Sequence, residues 1–97
     1  PQDAKEAFKW YLKAAENGHA FAQNNIGVMY DNGESVRVNN VSAYAWFNVS
    51  AFSGNSKAAR NRDIVAERMN PKQITEAQKL SKALAKKIEA NKKKRKK

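Results

Sequence analysis

Ala7-Phe8-Lys9-Trp10-Tyr11 returns 36 residues later as Ala43-Tyr44-Ala45-Trp46-Phe47. Ala15, Gly18, Ala22 and Asn25 return at the same spacing as Ala51, Gly54, Ala58 and Asn61. A fixed period of this length marks a helical repeat array, in which no helix pair buries its apolar side alone and stacked neighbours make the core. The same architecture constrains function, because repeat arrays mostly offer an extended surface to another macromolecule.

The spacing of apolar residues predicts five helices. Asp3, with Glu6 three residues on, has the capping-box pattern and opens a helix running to Glu16, where Asn17-Gly18 stops it. Phe8, Tyr11, Leu12 and Ala15 form its apolar stripe, with Ala7, Trp10 and Ala14 beside it. A second helix runs from His19 or Ala20 to Tyr30 on Ala22, Ile26 and Met29, and Gly27 leaves room for a close neighbour. After the Asp31-Asn32-Gly33 break, Asn39 or Asn40 caps a third helix over Val41 to Phe52, ended by Ser53-Gly54. The fourth, about Ser56 to Met69, is more polar: Arg62 and Asp63 stand where Ile26 and Gly27 stood. Asn70-Pro71, with Gln73 at the third position, opens a fifth helix to about Ala90. Its narrow stripe is Ile74, Ala77, Leu80, Leu84 and Ile88. Alanines at the facing positions allow close axis approach, with Trp10 and Trp46 filling the space between layers.

The chain is therefore read as all-α: an α/α superhelical solenoid of about two helix pairs plus a long C-terminal capping helix. Repeat one covers about 3–38, repeat two about 39–70 and the capping helix about 71–90, all one domain over 1–90. Residues 91–97 form a basic tail without apolar content, expected to be disordered. The polar fourth helix and the long fifth are expected to close the array where no further repeat packs. Pro1-Gln2-Asp3 aligns with Arg37-Val38-Asn39, so the chain opens in mid-repeat and is expected to be the C-terminal piece of a longer array.

Net charge is +10, unevenly spread. Residues 1–69 carry eight basic and seven acidic residues, whereas residues 70–97 carry eleven basic and two acidic. The array is nearly neutral and the basicity belongs to the end, so pI alone does not make the whole chain a nucleic-acid binder. Cysteine is absent, which excludes disulfides and thiolate chemistry. No stretch approaches the ~18 apolar residues of a membrane-spanning helix.

These residues resemble the Sel1-like repeat family, an α/α solenoid related to the tetratricopeptide arrays. The signature in repeat one is Ala7…Trp10-Tyr11…Lys13-Ala14-Ala15…Gly18-His19-Ala20…Ala22-Gln23…Gly27…Met29-Tyr30…Gly33. Repeat two carries Ala43…Trp46-Phe47…Ala51…Gly54…Ala58. The stretch from Asn61 through Met69-Asn70-Pro71 to Ala77-Gln78 is similar to the closing segment of many bacterial Sel1-like proteins. The resemblance implies a non-catalytic adaptor or scaffold that binds other proteins, with no cofactor and no shared catalytic residues. It leans towards a bacterial, periplasmic or secreted setting rather than a cytoplasmic one. Two departures stand out. The family loop usually reads Gly-x-Gly-Val, whereas Gly33-Glu34-Ser35-Val36 lacks the second glycine, so that turn is expected to be altered. The disulfides of the family's secreted cysteine-rich branch cannot form here.

No Gly-x-Ser-x-Gly elbow, paired carboxylates or phosphate-cradling glycine loop is present, so no enzyme is expected. His19, the single histidine, lacks a partner at ligand spacing and matches Asn55 of repeat two, which gives it a turn or N-cap role. Trp10, Tyr11, Tyr44, Trp46 and Phe47 could stack bases, yet their repeated placement favours packing between helices. The first helix of each pair usually lines a solenoid's concave side. Positions there that differ between the repeats, Lys9, Lys13, Asn48 and Phe52, are the candidate partner-binding residues.

The alternative function is electrostatic anchoring to a polyanion: nucleic acid, an anionic membrane or an acidic protein. Lys79, Lys82, Lys86, Lys87 and the run Lys92-Lys93-Lys94-Arg95-Lys96-Lys97 would make it. An incomplete array would also expose an apolar end over residues 4–16, a route to self-association.

Overall fold

Short polar side chains begin most of the helices. The computed structural model describes residues 3–95 and contains α1 (Ala4–Glu16), α2 (Ala20–Asn32), α3 (Asn40–Phe52), α4 (Ser56–Ala66) and α5 (Pro71–Arg95). Asp3 Oδ1 accepts from the Lys5 amide at 3.0 Å, and Asn39 Oδ1 from the Ser42 amide at 3.0 Å. Asn55 accepts from Lys57 and Ala58. At α5 the box closes in both directions: Gln73 N–H donates to Asn70 Oδ1 at 2.8 Å, and Asn70 N–H to Gln73 Oε1 at 3.0 Å. His19 occupies the N-cap of α2 without a side-chain bond.

Within the first four helices, two ends differ from the sequence expectation. α2 continues two residues beyond Tyr30, to Asn32. α4 ends at Ala66 rather than Met69, because the amides of Glu67, Arg68 and Met69 bond three residues back and tighten the chain into a 3₁₀-type exit.

α3 is the centre of the molecule, packed against α2, α4 and α5. Its approach to α2 depends on Gly27: a Cβ there would lie 2.5 Å from Phe47 Cδ1 and Cε1. Phe47 is 1% exposed and packs with Ala43, Ala58 and Val65. A second cluster joins Ile26 and Met29 of α2, Trp46 and Val49 of α3, and Ile88 of α5. Polar bonds tie the corners together. Buried Gln23 donates to the Ala15 carbonyl at 3.0 Å, Ser53 Oγ donates to Gln23 Oε1 at 3.2 Å, and Ser50 Oγ donates to the Ala20 carbonyl at 2.6 Å.

α5 does not stack beyond α4 as another layer. It lies along α3 and reaches α1, on the side formed by the first helix of each pair. The expectation that helix ends near residue 90 and a disordered tail follows from 91 is corrected: helix continues to Arg95. Lysine is a good helix former, and the end of α5 is held by α1: Asn91 Nδ2 donates to the Glu16 carbonyl at 2.9 Å and Lys87 Nζ to Glu16 Oε2 at 2.9 Å. Lys96 and Lys97, the end of the expected tail, lie outside the described residues.

A second correction concerns the aromatics. Trp46 is 5% exposed under α2, but its repeat equivalent Trp10 is 66% exposed and Tyr11 is 40% exposed. No helix among the described residues packs on α1 as α2 packs on α3, so Trp10 fills no space between layers here. Phe8 keeps its packing role and meets Tyr30 edge to face at 5.8 Å.

The loop that lacks its second glycine keeps a left-handed residue all the same. Ser35 itself adopts φ +65°.

Candidate functional site

The return of α5 along α3 creates a cleft of about 520 Å³. Its floor is largely apolar, made by Val49 from α3 and Ala85 and Ile88 from α5, with the buried Ser81 hydroxyl turned to the Ala77 carbonyl at 2.9 Å. Val49 and Ile88 are buried in the same core cluster, so the floor is fixed by packing. The ring of Phe52, the last residue of α3, stands at the mouth and is 94% exposed. Polar groups edge the cleft, among them Asn48, Gln78, Lys82, Glu89 and Lys92. Asn48 is fixed from outside, since Arg62 Nη1 donates to its Oδ1 at 3.0 Å while Arg62 Nε donates to Asp63. The polar replacement in α4 thus positions a residue of the cleft.

The structure divides the four candidate partner-binding residues. Asn48 and Phe52 share the cleft, whereas Lys9 and Lys13 lie on the exposed side of α1 beside Trp10, Glu6 and Asp3. The reason is the course of α5. Lys9 and Lys13 correspond to Ala45 and Val49 one repeat later, and both of those are buried. That side of α3 is covered, and the same side of α1 is open except at its C-terminal end.

The basic candidates also separate. Lys87 pairs with Glu16 beside the α1 C-terminus, where a cation meets the negative end of the helix dipole. Lys92 pairs with Glu89 at 3.7 Å, and its stem lies against Gly18. Lys79, Lys82, Lys86, Lys93 and Lys94 are exposed without a carboxylate partner among the described residues. Lys72, missed by the sequence reading, joins them: Lys72, Lys79, Lys86 and Lys93 recur every seven residues and form one ridge opposite the buried stripe of Ala77, Ser81, Leu84 and Ile88. The seven-residue spacing was the available signal. Arg95 is the last residue of α5, and Lys96 and Lys97 lie outside the described residues.

No helix of the described residues is long and apolar enough to cross a membrane. Among the same residues, no group of three or more acidic, histidine or cysteine side chains could hold a metal ion.

Stacked helix pairs closed by a returning helix define an α/α solenoid. The Sel1 repeat model matches residues 1–19 and 20–54, and the chain belongs to the Sel1 repeat family. The second match runs from α2 through α3, half a repeat out of phase with the pairs used above. Among solved structures, the chain is similar to c5321, a protective antigen present in uropathogenic Escherichia coli strains displaying an SLR fold. Identity is 33%, the TM-score is 0.87, and the match covers 97% of this chain and 21% of that one. The chain thus spans about a fifth of the length of that protein. Sel1 repeats are in general protein-interaction modules, and the fold is typically a non-enzymatic scaffold.

Proposed function

We propose that this chain is a non-catalytic recognition module that binds a partner protein in the α3–α5 cleft, with Asn48 and Phe52 as contact residues. The observation that carries this reading is the exposed Phe52 ring at the mouth of a cleft with a rigid apolar floor. A fully exposed aromatic contributes nothing to the fold, yet it offers the kind of anchor that dominates protein interfaces. A preformed floor also keeps the ordering cost of binding small. Lys9 and Lys13 form a separate, peripheral contact patch on α1.

Affinity capture tests this reading, comparing wild type, Phe52→Ala and a variant with Lys72, Lys79, Lys86 and Lys93 changed to Gln. One or two proteins retained by wild type and the Gln variant, and lost with Phe52→Ala, is the expected outcome. Retention by Phe52→Ala together with loss in the Gln variant would overturn it.

The lysine ridge supports a second reading, electrostatic anchoring to a polyanion. Four lysines without a carboxylate partner among the described residues recur at seven-residue spacing and extend over about 30 Å of helix at ~1.5 Å per residue. Binding of this kind falls steeply with salt, and more steeply than contact in the cleft, which rests also on the apolar floor.

A further inference from the structure

We infer that the α3–α5 cleft takes an acidic segment of a partner protein bearing one large apolar side chain, which enters beside Phe52 while neighbouring carboxylates meet Lys82. This rests on the interaction reading above and adds the chemistry of the occupant. The cleft volume falls within the range of ~300–1,000 Å³ usual for ligand sites, enough for a large side chain and its flanking backbone. Val49, Ala85 and Ile88 are apolar, and the buried Ser81 hydroxyl beside them is already bonded to the Ala77 carbonyl at 2.9 Å, so the group that fills the bottom is apolar.

Charge decides the rest of the segment. α5 carries nine basic and two acidic residues. Glu89, the one carboxylate at the cleft, is already opposite Lys92. Lys82 has no carboxylate partner among the described residues and lies at the edge of the cleft. A cleft of this kind steers acidic segments inward and repels basic ones. Nucleic acid fits it less well. Phe52 is the single exposed aromatic ring lining the cleft, not a series on which successive bases stack, and a nucleotide brings nothing aliphatic to the floor.

The test is selection of random 12-residue peptides displayed on phage against the immobilised 97-residue chain, followed by fluorescence anisotropy of the enriched peptides. Enrichment of peptides with several Asp or Glu around one Phe, Trp, Leu or Met is the expected result. Their affinity should fall at least about tenfold with Phe52→Ala, and by a similar factor with Lys82→Glu. Both changed side chains are exposed, so an unchanged helical circular-dichroism signal is expected and verifies the fold of each variant. Neutral or basic peptides that are lost with Phe52→Ala would overturn the acidic occupant while leaving the interaction reading standing. Acidic peptides that bind Phe52→Ala as well as wild type, or single-stranded DNA competing at equal affinity, would move binding to the ridge and overturn the inference. Failure to enrich any peptide would count against both readings.

Discussion

Asn91 donates its side-chain amide to the carbonyl oxygen of Glu16 at 2.9 Å, joining positions 75 residues apart. Glu16 ends α1, so its carbonyl is one of the four that an α-helix leaves without an intrahelical partner. The bond fixes the far end of α5 on the first helix and so holds the cleft wall in place. Asn91→Ala is expected to destabilise the chain by about 0.5–1.5 kcal/mol. In thermal unfolding this lowers Tm by about 4–8 °C per kcal/mol for a domain of this size. An unchanged Tm would mean that the end of α5 is not docked.

Ser35 carries a conformation that suits glycine better. At φ +65° its Cβ is crowded, a penalty of about 1–2 kcal/mol for a side chain in the left-handed region. Ser35→Gly removes that penalty but raises the entropy of the unfolded chain, for a net stabilisation of roughly 0.5–1 kcal/mol. A raised midpoint in urea with an unchanged slope would agree. A lowered midpoint would contradict the strain.

Gly27→Ala is expected to act in the opposite sense. Alanine gains about 1 kcal/mol of helix propensity, but a Cβ placed 2.5 Å from two Phe47 ring atoms forces the ring or helix to move. Overpacking of a buried site usually costs about 1–3 kcal/mol and wins here, because Phe47 is enclosed. Combining Gly27→Ala with Phe47→Leu should produce less destabilisation than the two single changes summed.

Much of this fold is legible from the chain. The 36-residue return of Trp, Gly and Ala positions locates the pairs, Asn39, Asn55 and Asn70 mark three helix starts, and Gly27 announces the close contact it makes. The course of α5 is not legible, because its apolar stripe says that it packs but not on what. The unnoticed consequence is the cleft. Phe52 and Asn48 stand out as positions that differ between repeats, whereas Gln78 and Ala85 acquire a role only once α5 lies beside α3. The basic run misleads for a related reason: its composition reads as solvated tail, yet Asn91 and the Lys92 stem have partners on the α1 corner. Repeat similarity misleads at Trp10, since equivalent positions are buried equally only where equivalent neighbours exist.

The lysine ridge makes a prediction of its own. Replacing Lys79, Lys86 and Lys93 with Gln should lower the salt dependence of any single-stranded DNA binding by about two units of log–log slope, at ~0.7 per phosphate contact. Peptide affinity in the cleft should change by no more than about threefold, because these side chains lie outside it. Equal loss of both activities would contradict the separation of ridge from cleft.

The most direct test of the cleft is the ¹H–¹⁵N spectrum of the labelled chain, recorded with and without the tightest selected peptide. Shifts concentrated at Asn48, Val49, Phe52, Gln78, Ala85 and Glu89 are predicted, with Lys72 and Lys93 nearly unmoved. Shifts that run along Lys72, Lys79, Lys86 and Lys93 while Val49 and Phe52 stay in place would contradict recognition through the cleft.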